Sequence, residues 1–219
     1  MEKDLKGNNN IKITLIALGC SKNLVDCETM STCLKNAGYN VINDVPDSDI
    51  VVINTCGFIE SAKKEAIDTI LNVADYKAPN GNVKKIIVSG CLSQRYPEDI
   101  LKEMPEVDAV LGTAHYGDIV DVVERLAGEF GRDSEKINIT TGVGGYKHLV
   151  KEREISTEAY AWLKIGEGCL NRCSFWRYLS SEGTLCPDPW RISWRRLRSW
   201  LPKALKSWSW QRRTLPITE

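Results

Sequence analysis

Three short apolar stretches near the start of the chain end in the same way, each with a cysteine directly after it. The endings are the triplets Leu18–Cys20, Asn54–Cys56 and Ser89–Cys91, and their cysteines are 36 and 35 residues apart. Nearly continuous apolar stretches are typical of strands in a parallel sheet that is covered on both faces. Because parallel strands all point the same way, we expect the three thiols to meet at the carboxyl edge, where open α/β sheets bind ligands.

The segments between these stretches have the apolar spacing of helices, so strands and helices alternate along the chain. The predicted strands are Lys12–Leu18, Tyr39–Val45, Asp49–Asn54, Lys84–Ser89 and Asp108–Leu111. The predicted helices run from about residue 25 to the glycine at position 38, and over Ser61–Ala74, Pro97–Met104 and Tyr116–Ala127. This order predicts an α/β fold with a doubly wound parallel sheet.

The composition changes after the last of these helices. Residues 129–158 are richer in glycine, threonine and charge, and we interpret them as a linker with room for one strand. Ala159–Ile165 predicts a further strand, and a second cysteine pair follows it. We therefore predict a first domain over residues 11–128 and the start of a second domain over residues 159–175.

Residues 176–219 follow a different compositional rule. They contain six of the seven tryptophans, and from Cys169 onward ten Lys and Arg stand against three Asp and Glu. No helical or strand period persists, so we do not expect this basic, Trp-rich tail to be a folded domain. An alternative interpretation is a segment for ribosomal RNA, since tryptophan can stack on bases and arginine can pair with phosphates.

The charge and the amino terminus exclude some classes of protein. The chain as a whole is neutral, with 29 basic and 29 acidic residues, so its charge predicts neither a nucleic acid nor a membrane as partner. Met1–Asn10 is charged and polar, unlike a secretory signal, and no stretch approaches the roughly 18 apolar residues of a membrane span. We therefore predict a cytoplasmic location, where eight cysteines indicate metal binding or thiol chemistry rather than disulfides.

Cys20, Cys56 and Cys91 are the predicted metal ligands. Each lies before or near the start of a helix, where the positive end of the helix dipole favours the thiolate that binds metals. Three sulfurs with an open fourth position suit either an iron–sulfur cluster or a zinc ion, and spacing alone does not separate the two. The two other cysteines and the two histidines of the first 150 residues are predicted to be packing or surface residues: Cys27, Cys33, His115 and His148.

A second cysteine constellation begins at Cys169. Cys173 follows at a spacing of C-x3-C, and a third cysteine at position 176 would make this pattern highly specific. Trp176 stands there instead. Cys186 lies ten residues further along, which is too far for the tight loop that such ligation needs.

Residues 11 to 175 resemble the radical-SAM methylthiotransferases. The resemblance depends on the motifs Ala17–Glu28, Asn54–Ile59 and Gly90–Tyr96, whose residues look like the branch of the family that modifies a ribosomal protein. The branch that modifies tRNA usually shows different residues around the same cysteines, and it is the alternative within the family.

The resemblance implies two clusters and a reaction. Cys20, Cys56 and Cys91 would hold an auxiliary 4Fe-4S cluster that takes part in sulfur delivery. Cys169 and Cys173 would belong to a second 4Fe-4S cluster that binds S-adenosylmethionine and cleaves it to a radical. The family reaction adds a methylthio group to the β-carbon of an aspartate in the twelfth small-subunit ribosomal protein, with a reductant such as flavodoxin or ferredoxin.

The resemblance stops near Cys173, and we therefore expect only the first strand of an incomplete radical-SAM barrel and no turnover by the chain as written. Our hypothesis for the tail is a shifted reading frame, because losing one base from the Cys-Ala codons TGC-GCG leaves TGG-CG, which begins Trp-Arg as at positions 176 and 177. An independent copy of the gene that encodes the same tail would contradict it. A non-catalytic iron–sulfur or zinc-binding module is the alternative from another class.

Overall fold

The protein is built around a six-stranded sheet in which every strand is parallel to its neighbours, in the order β2-β1-β3-β4-β5-β6. The structure is a computed structural model, and it describes residues 10–77, 79, 81–131, 135–141, 153–157, 160–164, 166–167 and 186–187. The six strands are β1 (Lys12–Ala17), β2 (Asn40–Ile42), β3 (Ile50–Thr55), β4 (Lys85–Gly90), β5 (Ala109–Leu111) and β6 (Ile137–Ile139). The helices are α1 (Ser21–Asn36), α2 (Glu60–Ala74), α3 (Cys91–Arg95), α4 (Pro97–Glu103) and α5 (Ile119–Ala127).

Both faces of the sheet are covered by helices. Successive residues of β3 alternate between the two layers: Ile50 and Val52 pack in the cluster formed with α1 and α5, and Val51 and Ile53 pack in the one formed with α2 and α4. Every residue of β3 and of β4 is buried. This two-sided burial explains the continuous apolar runs Ile50–Ile53 and Ile86–Val88 inside these strands, and it confirms the predicted doubly wound parallel sheet.

The strand order reverses between β1 and β3. The chain passes from β1 outward to β2 and then returns to the other side of β1 as β3. Such a reversal opens a crevice at the carboxyl ends of the two strands, because the helices that follow them leave toward opposite faces of the sheet. Cys20 follows β1 and Cys56 follows β3, so the first two predicted ligands lie on the two sides of this crevice.

Several elements differ from the sequence-based prediction. The stretch 129–158, predicted to be a linker with room for one strand, contains β6, and this strand joins the sheet at its edge beside β5. The five-residue helix α3 was not expected, and Tyr116–Asp118 forms a 3-10 turn before α5. In place of the strand predicted over 159–165, a two-residue strand β7 (Gly166–Glu167) pairs antiparallel with β8 (Cys186–Pro187).

Helix α1 is buried on its outer face as well as against the sheet. Residues 153–157 and 160–164 return to this helix, and two of their basic side chains pair with its acids: Arg153 Nε lies 2.8 Å from Glu28 Oε2, and Lys164 Nζ lies 2.6 Å from Asp26 Oδ1. Lys22, one turn before Asp26, adds a second ion pair at 3.2 Å. These charged side chains are buried because each has a partner of opposite sign, and they explain why α1 lacks a simple apolar stripe.

The carboxyl group of Asp26 is the centre of this charge cluster. Burial alone would raise its pKa, but the charges of Lys164 and Lys22 outweigh burial and hold the pKa of Asp26 below its ordinary value. A lowered pKa means that the ionised carboxylate is more stable in the folded state than in the unfolded state, so ionisation of Asp26 stabilises the fold. The stabilisation is therefore present at neutral pH and is lost as the pH falls below about 4.

We predict that Asp26→Asn lowers the free energy of unfolding by about 3 kcal/mol at neutral pH, because it leaves Lys22 and Lys164 without a buried counter-charge. The variant should also lose less stability than the parent on acidification. Urea unfolding at several pH values measures both effects. The control is Asp47→Asn, which breaks an exposed pair with Lys12 and should cost less than about 1 kcal/mol; equal losses in the two variants would contradict the prediction.

Candidate metal centre

The three predicted cysteine ligands lie at the carboxyl edge of the sheet. Cys20 is the residue before the first turn of α1, in an extended conformation with φ −102° and ψ 170°. Cys56 directly follows the last residue of β3, and Cys91 is the first residue of α3, directly after β4. All three side chains are partly exposed, so reagents and metal ions can reach their sulfurs.

The strand register places the three cysteine loops at nearly the same level. Ala17 is paired with Asn54, and Asn54 is paired in turn with Ser89. The ladder continues one step past β1, where the amide of Leu18 donates to the carbonyl of Asn54 at 2.9 Å. Each cysteine therefore lies two or three residues beyond this paired level, at the same edge of the sheet.

Two glycines allow the three loops to touch. A Cβ added to Gly19 would lie 2.5 Å from Cys56 Cβ and 3.3 Å from its sulfur. A Cβ on Gly57 would lie 2.9 Å from the Cα of Leu92 and 3.2 Å from the carbonyl carbon of Cys91. The loop of Cys20 thus abuts Cys56, and the loop of Cys56 abuts Cys91, so the fold brings the three predicted ligands into neighbouring positions.

Buried amide side chains connect these loops. Asn23 donates from Nδ2 to the carbonyl of Leu18 at 2.7 Å, which closes the turn that carries Cys20. Asn54 donates from Nδ2 to the carbonyl of Asn23 at 3.0 Å and so ties β3 to the first turn of α1. Both asparagines are fully buried. Sequence reasoning missed them as site residues, although each lies within three positions of a predicted cysteine ligand.

A basic side chain secures the Cys56 loop from the side of α3. Arg95 donates from Nη1 to the carbonyl of Gly57 at 2.8 Å, and its guanidinium lies 5.0 Å from the ring centre of Tyr96. The interaction ties the Cys56 loop to the helix that begins at Cys91. It also places a permanent positive charge at the residue that follows Cys56.

Cys27, Cys33 and His115 pack or pair within the fold. Cys27 is buried among core residues, and burial raises the pKa of its thiol to about 12, so it stays protonated at neutral pH. Burial also raises the pKa of Cys33, which packs against the same core. His115 pairs with Asp118 at 2.8 Å. Cys169, Cys173, Trp176 and His148 lie outside the described residues.

Three partly exposed thiols on abutting loops are a donor set that fits an iron–sulfur cluster. Within the ranges that the structure describes, no three His, Cys, Asp or Glu side chains are grouped so that they could hold one metal ion. A 4Fe-4S cluster binds its thiolates through different irons, so its ligands approach from separate directions and need not converge on one point.

The part of the chain that forms this sheet matches a known protein family. The family described as "Uncharacterized protein family UPF0004" matches residues 12–112, which span the sheet from β1 to the end of β5. Curated relatives match a longer part of the sequence, about three quarters of the chain. The chain belongs to the radical-SAM methylthiotransferase family.

Several relatives that match the chain carry the description ribosomal protein uS12 methylthiotransferase RimO. The protein of Clostridioides difficile strain 630 is 46% identical over 169 residues, which are 75% of this chain and 36% of that protein. The protein of Acetivibrio thermocellus is 46% identical over 167 residues, with the same coverage. The chain thus spans about a third of the length of these relatives, and its motifs are those of the uS12 branch.

A solved structure supports the fold independently of sequence. The radical S-adenosylmethionine methyltransferase TsrM from Kitasatospora setae, solved with tryptophan and an S-adenosylmethionine analogue, aligns with a TM-score of 0.61. The alignment covers 91% of this chain and 47% of TsrM at 9% identity, so it speaks for the fold alone. Among the described residues, no helix is both long enough and apolar enough to span a bilayer.

We predict that Gly19→Ala destabilises the chain by about 2 kcal/mol more than Gly131→Ala. Both glycines have positive φ, +88° and +78°, so both substitutions carry the strain of about 1–2 kcal/mol expected of a left-handed residue. Only the methyl group at position 19 would meet another atom, since nothing lies within 4 Å at position 131. Overpacking adds about 1–3 kcal/mol. Equal free energies of unfolding in urea would contradict the close contact with Cys56.

Proposed function

We propose that Cys20, Cys56 and Cys91 bind a 4Fe-4S cluster and that residues 11–128 are the auxiliary-cluster domain of a uS12 methylthiotransferase. The observation that supports this best is the contact between the three cysteine loops through Gly19 and Gly57. Three thiolates leave one iron of such a cluster without a protein ligand, and that iron can bind an exchangeable sulfur species. The three cysteines are partly exposed, as Cys33 also is, whereas Cys27 is buried and its thiol stays protonated at neutral pH.

The residues around the thiols have separate tasks in this proposal. The backbone of β1, β3 and β4 sets the level of the ligands, and the glycines let the loops approach. Arg95 holds the Gly57 carbonyl and places a positive charge near an anionic cluster with its thiolates. Hydrogen bonds and charges around the sulfurs tune the reduction potential of such clusters.

The reaction of the whole protein is the second part of the proposal. The curated relatives are uS12 methylthiotransferases. From the family resemblance of the motifs, the reaction would add a methylthio group to the β-carbon of an aspartate in uS12, with S-adenosylmethionine and two 4Fe-4S clusters as cofactors. The partners would be uS12 and a low-potential reductant such as flavodoxin or ferredoxin, and the reaction would take place in the cytoplasm. The tRNA alternative is not pursued, because the matching relatives are uS12 methylthiotransferases.

The 219 residues by themselves lack a ligand for the second cluster. Cys169 and Cys173 supply two thiols of the C-x3-C-x2-C pattern, and Trp176 replaces the third. An indole cannot ligate iron as a thiolate does, because its nitrogen is a donor only. We therefore infer that this chain binds the auxiliary cluster without cleaving S-adenosylmethionine, which makes it a non-catalytic iron–sulfur module as it stands.

Anaerobic reconstitution of the full chain with ferrous iron and sulfide tests the auxiliary cluster. We expect about four irons and four sulfides per polypeptide, as one 4Fe-4S cluster requires. The triple variant Cys20→Ser, Cys56→Ser, Cys91→Ser should lose them, and the control Cys33→Ser should keep them. A parent that binds no iron, or a triple variant that binds as much as the parent, would overturn the cluster assignment. Zinc bound in place of iron after anaerobic purification would support the zinc alternative.

A turnover assay tests the inference about the second site. The reconstituted chain, reduced with dithionite and mixed with S-adenosylmethionine, should form no 5′-deoxyadenosine above the level of a Cys169→Ser, Cys173→Ser variant. Liquid chromatography with mass detection measures the product. Formation of 5′-deoxyadenosine that depends on Cys169 and Cys173, together with about eight irons per chain, would show that another residue replaces the missing ligand.

A further inference from the structure

Asn54 lies near the end of β3, the middle one of the three strands that lead to the cysteines. Its strand, β3, is hydrogen-bonded to β1 on one side and to β4 on the other, so it lies between the two other strands that carry cysteines. Asn54 is two residues before Cys56, and its side chain is fully buried. A polar side chain in a strand that is otherwise apolar calls for a specific reason, since burying an amide costs free energy unless its groups are bonded.

One end of the carboxamide binds the segment of Cys20. Nδ2 of Asn54 donates to the carbonyl of Asn23 at 3.0 Å. Asn23 is three residues beyond Cys20 and donates in turn to the carbonyl of Leu18, so the pair of asparagines spans the turn that carries Cys20. The Oδ1 atom of Asn23 also lies 4.0 Å from the Cys20 sulfur.

The other end of the carboxamide contacts the segment of Cys91. A Cβ built on Gly90 would lie 2.4 Å from Asn54 Oδ1 and 2.3 Å from the carbonyl oxygen of Thr55, so both the carboxamide and the backbone of β3 require a glycine there. Gly90 has φ +99° and directly precedes Cys91. Asn54 Oδ1 is buried and has no hydrogen-bond partner within the described part of the chain. A buried carbonyl oxygen normally accepts a hydrogen bond that offsets its lost hydration, and Oδ1 packs against Gly90 without one.

We propose that Asn54 is a positioning residue of the cluster site, whose single carboxamide sets the separation of the three cysteine loops. It shares its strand with Cys56, is hydrogen-bonded to the helix that Cys20 caps, and packs against the residue before Cys91. Gly90 is the complementary partner, because its missing side chain leaves the space for Oδ1. The inference rests on the proposed function, since it assumes that the three thiols hold a cluster.

The test compares Asn54→Leu with Thr14→Val in the full, reconstituted chain. Leucine is similar in size to asparagine but makes neither the hydrogen bond nor the polar contact. Thr14→Val removes a buried polar group of the same sheet far from the cysteines, where the Thr14 hydroxyl bonds to the Ser48 hydroxyl at 2.6 Å. Both variants are measured by cluster release to an iron chelator, by the electron-paramagnetic-resonance spectrum of the reduced cluster, and by unfolding of the cluster-free chain.

We expect Asn54→Leu to release its cluster about 10- to 100-fold faster than the parent, the range seen when a residue that orients metal ligands is removed. Its resonance spectrum should also change, which a loss of global stability alone would not cause. Thr14→Val should unfold more easily than the parent yet keep the parental release rate and spectrum. If Asn54→Leu does not fold, Asn54→Ser decides, because serine is too short to reach both Asn23 and Gly90 and should likewise release the cluster faster.

The outcomes separate this inference from the proposed function. A parent that loads about four irons and an Asn54 variant with the same release rate and spectrum would overturn the positioning role and leave the cluster assignment intact. A parent that binds no iron would overturn both. Faster release in Thr14→Val to the same extent would also overturn the role, since the effect would then follow from lost stability.

Discussion

The register of three adjacent parallel strands is the constraint on which the rest of this structure depends. Because Ala17, Asn54 and Ser89 are paired across β1, β3 and β4, the loops that follow these strands emerge at one level and at one edge. A slip of one residue in either pairing would turn the buried side chains of a strand to the opposite face, and the two-sided core would resist it. The packing of the core therefore fixes the level at which the three cysteine loops leave the sheet.

Much of this arrangement could be predicted from the sequence, because the signals are local. Strands buried on both faces contain continuous apolar runs, and the predicted bounds of β1, β3 and β4 are within one residue of the observed ones. The positions of the cysteines after the strands followed from the same pattern. The short helix α3 could not be predicted in this way, because five residues do not complete a recognisable helical period.

The rest depended on contacts between residues far apart in the chain. The burial of Asp26 and Glu28 requires Lys164 and Arg153, which lie more than 120 positions later, and no local pattern shows that charged residues of a helix will be paired there. The stretch that forms β6 is short and partly polar, so it looks like a linker until β5 is available to pair with it. Asn54 was overlooked for a similar reason, since its role depends on Asn23 and Gly90 together.

The packing of residues 153–157 and 160–164 on α1 fixes a late part of the chain relative to the start of that helix. Cys20 lies at the start of α1, and Asp26, six residues along the same helix, holds Lys164. Six helical residues measure about 9 Å. Cys169 comes five residues after Lys164 in the sequence. The buried ion pair therefore anchors the chain, five residues before Cys169, to a point on α1 about 9 Å from Cys20.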